Sequence, residues 1–214
     1  LLVGYGWINY FFYVPLAFLI AEQFRRDDLQ RLTRHTLWLA LAAAPVVILQ
    51  FFSAADSVIN LGFGLDGADQ FKNLGAALGF VRPTGFFTST LGQAQFVASA
   101  AALLLATFLQ PRNARQLSPV FLWLGAAAIV SMIVFSQSRG LVLSAGLVLL
   151  AAVFAGVLTG KRHVVLRAGV WPLALVLGAG LLWPLLFPKA FEVFMVRWAS
   201  AWHSETQIFQ LGIF

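Results

Sequence analysis

Two short stretches, VRPTGFF (residues 81–87) and FSQSRGLVLSAG (135–146), each set one arginine among small and turn-forming residues at the edge of a long apolar run. Between Asp69 and Glu192 the chain carries no acidic residue, yet it carries nine lysines and arginines. A guanidinium taken out of water is costly unless an anion compensates it. Its planar fork also grips phosphate at two points, which an ammonium cannot do. Pro83 and Gly85 impose a turn after Arg82, and Ser136, Ser138 and Gly140 keep the Arg139 turn small and polar. The chemistry these residues suit is recognition of an oxyanion, such as a diphosphate presented by a lipid. A plainer role stays open: an arginine at a helix mouth can extend to lipid headgroups and anchor its helices. Gln93 and Gln95 in LGQAQF are in the same position, suited to bonds between helices or to substrate.

Other constellations are missing from the sequence. No carboxylate pair falls within an apolar window, no histidine pair has metal-ligand spacing, and no P-loop is present. GFGLDG at 62–67 contains a Gly-x-Gly without a strand–helix context. His35 and His163 sit among arginines as interfacial polar residues, and His203 reads as a surface histidine. No metal or cofactor is expected. The absence of cysteine removes disulfides and thiolate ligands. The basic residues are too dispersed for a nucleic-acid footprint.

The elements that must position these arginines are apolar helices. The 214 residues are 60% hydrophobic and only 10% charged, with a mean hydropathy of +0.86. Soluble domains are about 45–50% apolar and about 25% charged. Residues 1–21, 35–55, 83–111, 116–138, 140–160 and 168–188 contain no Asp, Glu, Lys or Arg. Each window matches the roughly 20 residues a helix needs to cross hydrocarbon. The expectation is an all-α polytopic membrane protein with six spans, at about 3–21, 36–53, 86–109, 119–136, 141–159 and 168–187. Together they form a single transmembrane domain over 1–214. Residues 54–85 suit an interfacial or re-entrant piece, and KAFEVFMVRWASAWH (189–203) a helix lying on the membrane surface. Residues 1–21 lack the basic start and cleavage site of a signal peptide. The Leu at position 1 and the unfinished pattern IFQLGIF suggest a piece of a longer protein, truncated at both ends.

Positive charge sets the orientation. Arg25, Arg26, Arg31, Arg34, Arg112, Arg115, Lys161, Arg162 and Arg167 fall on one side, and Lys72, Arg82, Arg139, Lys189 and Arg197 on the other. The first group is expected in the cytoplasm, which leaves Arg82 and Arg139 outside.

With that topology, RPTGFFTSTLGQAQFVASAAALLLA resembles the Arg-x-x-Gly-x-Phe-then-helix segment of bacterial O-antigen ligases and the related Wzy-type polysaccharide polymerases. FSQSRGLVLSAGLVLLAAVF resembles their Ser-Arg-Gly segment, which opens the next transmembrane helix. The likeness covers roughly residues 80–200. It implies a metal-independent glycosyltransferase, without a cofactor, in the bacterial inner membrane with its active face outward. The donor would be a glycan on undecaprenyl diphosphate, and the acceptor a hydroxyl of a glycan or lipid. It also implies that Arg82 and Arg139 bind the diphosphate, with Arg197 in VRWASAW as a third candidate. Family ligases use a histidine in a later outer loop, followed by spaced glycines. HSETQIFQLGIF begins as His-Ser but lacks that glycine spacing, so no catalytic residue is assigned in this chain. A transporter or channel for an anionic solute, or a non-catalytic scaffold, are the alternatives from other classes.

Overall fold

In the computed structural model of the protein, the described residues are 22–54, 56–60, 78–87, 89–110, 115–158, 178 and 180–210. Their regular elements are helices: α1 (Arg26–Phe52), α2 (Thr90–Leu109), α3 (Pro119–Ser136), α4 (Arg139–Leu158) and α5 (Pro188–Gln210). A short helical segment, 180–186, precedes α5. Three helical stretches are long and apolar enough to cross a membrane: Asp27–Phe52, Thr90–Leu109 and Pro119–Ser136. Arg139–Phe154 is a shorter apolar stretch within α4. The expected span 3–21 and most of 168–187 lie outside the described residues, as do 61–77 of the expected interfacial piece.

Helix boundaries follow from local chemistry. Ser89 accepts from the Gly92 amide at 3.2 Å, and Ser118 from the Phe121 amide at 3.3 Å, each serving as an N-cap. Pro119 occupies the first helical position of α3, where its missing N–H costs nothing. The largest departure from expectation is α1, which begins ten residues before the expected 36–53 span. Asp28 accepts from the Arg25 amide at 3.1 Å, and Asp27 and Asp28 face the positive end of the helix dipole. A charge-free window misses this turn because the charges themselves stabilise it.

Helices α1 to α4 alternate in direction. At one end, Gln30 donates to Gln110 at 3.3 Å and Gln116 to Asp27 at 2.9 Å, joining the start of α1 to the end of α2 and the approach to α3. At the other end the Phe51 and Phe135 rings stand 5.4 Å apart, joining the ends of α1 and α3. Residues 137 and 138 alone connect α3 to α4, so α2 and α4 both start at this second end.

The core lies between α1, α2 and α3. Leu37, Ala40, Ala44, Val47 and Phe51 recur at helical spacing and are buried against Leu122, Ala126, Ile129 and Met132. Small residues allow close backbone approach where lipid provides no hydrophobic drive between helices. On the outer face of α4, Leu143, Leu147, Leu150, Phe154 and Leu158 form an exposed apolar stripe, suited to lipid contact.

At Gly125, α3 packs closely on α1. A Cβ there would stand 2.8 Å from Leu37 Cδ2, and Leu37 is fully buried. Gly125→Ala should therefore lower stability by about 1–3 kcal/mol through overpacking. Thermal unfolding of the detergent-solubilised protein checks this. The added cost of Gly125→Ala should vanish in a Leu37→Ala background.

Candidate functional site: an arginine cluster at one end of the bundle

Residues 78–87 form a strap across the end where α2 and α4 begin. Strap backbone has no helix or sheet to satisfy its polar groups, so it needs other partners. Gln50, in the last turn of α1 and 4% exposed, supplies them. Its Oε1 accepts from the amides of Thr84 at 3.1 Å and Gly85 at 2.8 Å. Its Nε2 donates to the carbonyls of Ile59 at 3.2 Å and Gly85 at 3.3 Å. Asn60 completes the clamp by donating to the carbonyls of Gln50, Ser53 and Ala54. The Gln50 carbonyl is one of those the last turn of α1 leaves without an intrahelical partner, and Ser53 and Ala54 follow the helix. Gly85 has φ +61°, and a Cβ there would meet Val47 Cγ2 at 3.2 Å. Backbone conformation and close approach both call for glycine.

Arg82 lies within this strap, between the buried Val81 and Pro83. Two residues earlier, Phe80 stacks on Phe51 with ring centroids 4.8 Å apart, and its carbonyl accepts from Arg197 Nη2 at 3.0 Å. Arg197 is 7% exposed and sits on the inner face of α5 with Ala190, Val193 and Phe194. Arg139 is the first residue of α4. Ser138 caps this helix by accepting from the Leu141 amide at 3.3 Å.

The three arginines, from three separate parts of the sequence, share one electrostatic neighbourhood. Burial lowers the Arg82 pKa from its ordinary value, and repulsion by Arg139 lowers it further. Burial lowers that of Arg197 to about 10, with repulsion by Arg82 the second cause. At neutral pH Arg197 still carries its charge. Arg82 Nε is buried without a hydrogen-bond partner among the described residues. Arg139 adds a cation at the positive end of α4, an unfavourable placement by about 0.3–1 kcal/mol. Burial and mutual repulsion of this kind are what a nearby anion offsets.

All three arginines expected to bind the diphosphate therefore stand at the same end, with Arg82 between the influences of the other two. Their surroundings differ. Arg82 lies in an irregular strap, Arg139 begins a helix, and Arg197 has one donor turned to the Phe80 carbonyl. Gln93 is 1% exposed, but its Nε2 makes no hydrogen bond among the described residues, and Gln95 is exposed. His203 falls in α5 at a position whose side chain lies outside the described ones. No group of three or more His, Asp and Glu side chains stands at metal-binding distance among the described residues.

Gln50 and Asn60 escaped the sequence reading. The available signal was a lone amide in each of two apolar settings, LQFF and VINLG. Gln50→Met keeps the side-chain length and removes all four bonds. Each buried group left unsatisfied costs about 1–3 kcal/mol. Amide exchange at Thr84 and Gly85 should accelerate roughly 30-fold or more, while α3 amides keep their protection. Hydrogen-exchange mass spectrometry of the 80–87 peptide measures this, and unchanged protection there would refute the clamp.

Comparison with known proteins assigns no family: no family model, characterised protein or solved structure matches this chain.

Proposed function

We propose that this chain holds the donor in an O-antigen-ligase-like or polymerase-like glycosyltransferase acting at the outer face of a bacterial inner membrane. The observation that carries the reading is the convergence of Arg82, Arg139 and Arg197 on one end of an apolar helical bundle, where Arg82 and Arg197 are each desolvated and each repelled by another of the three. The convergence supports an oxyanion ligand, and the likeness of residues 80–200 to the ligase and polymerase segments supports glycosyl transfer. The exposed Arg25, Arg31 and Arg34 lie towards the opposite end, which suits a cytoplasmic face there and an external one at the cluster.

In this reading the acceptor hydroxyl oxygen attacks the anomeric carbon of the donor sugar. The bond from that carbon to the diphosphate oxygen breaks, and the electron pair leaves with the diphosphate. Arginines held in place beforehand stabilise the charge that develops on the leaving group. The proton leaves the acceptor for a base outside the residues assigned here. Lipid-borne substrates fit a site at the end of membrane-length helices, because donor and headgroup then share one plane.

In the complete protein reconstituted with an undecaprenyl-diphosphate-linked glycan and an acceptor, Arg82→Ala and Arg139→Ala should each reduce transfer by about 10²–10³-fold, the usual effect of losing one stabilising donor. Lysine at either position should recover little, because it lacks the fork. Retained transfer in both alanine variants, with normal membrane insertion, overturns the proposal. Anion flux without transfer would support a channel or transporter instead.

A further inference from the structure

We infer that Gln137 recognises the first sugar of the donor, its amide meeting two neighbouring hydroxyls beside the diphosphate. The identity of the donor rests on the proposed function; the observations on Gln137 do not. Gln137 is 1% exposed, and neither its Nε2 nor its Oε1 has a hydrogen-bond partner among the described residues. Its backbone is left-handed, with φ +54° and ψ +27°. A side chain disfavours that conformation, and glycine adopts it freely. As a turn between α3 and α4, position 137 would be better filled by glycine on both counts. A residue that combines backbone strain with an unspent buried amide is a residue kept for a ligand.

The position identifies the ligand class. Gln137 is two residues before Arg139, in the two-residue connection at the arginine end. Other buried polar atoms without partners gather at this end, among them Arg82 Nε, Gln93 Nε2 and Trp183 Nε1. An amide offers one donor face and one acceptor face. Phosphate oxygens accept, so a phosphate could engage Nε2 and would leave Oε1 unmet. Two vicinal hydroxyls, each able to donate and accept, satisfy both atoms together. A neutral polyhydroxyl group fits this amide, and the first sugar is the polyhydroxyl group joined to the diphosphate.

The test compares two lipids in the complete protein held in nanodiscs: undecaprenyl diphosphate, and the same lipid carrying one hexose. Gln137→Gly removes the amide and relieves the left-handed residue. Its thermal midpoint should equal or exceed that of the wild type. Its affinity for the hexose lipid should fall at least tenfold, while that for the bare lipid stays within twofold. Gln137→Asn, which tolerates the backbone but falls short by one methylene, should lie between. A lower midpoint or failure to fold in Gln137→Gly shows that the amide holds the structure together, and this overturns the inference. Equal losses for both lipids, or a wild type that binds the two equally or binds neither, also overturn it. Sugar discrimination in a protein that catalyses no transfer would sink the proposed reaction and leave this site standing. Transfer without sugar discrimination would do the reverse.

Discussion

A single buried amide joins the end of α1 to the strap that carries Arg82. Gln50 accepts from two strap amides and donates to two carbonyls, one of them in the strap and one in 56–60. Helices satisfy their own backbone, but residues 81–85 cannot. Without these bonds the strap would have to reach water or adopt another path, and Arg82 would lose its fixed place. Phe80 provides the second anchor, through its stack on Phe51 and the bond its carbonyl accepts from Arg197. Arg82 lies between the two anchors, two residues from each. Its position is thus imposed from both sides, whereas its own guanidinium contributes none of the restraint through Nε.

Aromatic contacts extend this framework towards α5. Phe51 meets Phe135, Phe135 meets Phe187, and Trp183 meets Phe191 and Phe194. Such ring pairs add about 0.5–1.5 kcal/mol each beyond the area they bury. The same two helices, α1 and α3, approach closely at Gly125, further from this end. Packing therefore tolerates the repulsion among the arginines: helices locked by small residues and rings cannot separate to relieve it. Here the rigid core sets where the charges stand, and the charges do not set the core.

The sequence disclosed the helices better than their tertiary partners. The expected span of about 119–136 coincides with α3, because the charge-free window 116–138 encloses that helix and little else. The start of α1 was not legible, since Asp27 and Asp28 stabilise a helix while ending an apolar window. Arg82, Arg139 and Arg197 were legible as candidates through their acid-free surroundings and neighbouring turn residues. Their convergence was not, because it depends on Gln50 reaching Gly85 across 35 positions and on Arg197 reaching Phe80 across 117. Gln137 was illegible for another reason. Only coordinates reveal that its backbone is left-handed and its amide unspent.

The two ends of the bundle use arginine differently, and the contrast sets a structural role against the proposed ligand-binding one. At the far end Arg115 donates to the carbonyls of Gln110 and Phe108 and lies over the Phe108 ring, 5.7 Å from its centroid. Those contacts occupy both faces of its chemistry, and it serves to terminate α2. Arg82 leaves Nε buried and unbonded and is repelled by Arg139, which itself begins a helix at the unfavourable pole. Helix dipoles alone cannot account for an anion site here. A helix dipole acts only within its first turn, and of α1 to α4 two start at this end and two finish. What remains is the local field of the guanidinium groups, held in a partly desolvated setting where each charge interacts more strongly than in water. An anion there would offset the repulsion and the burial at once.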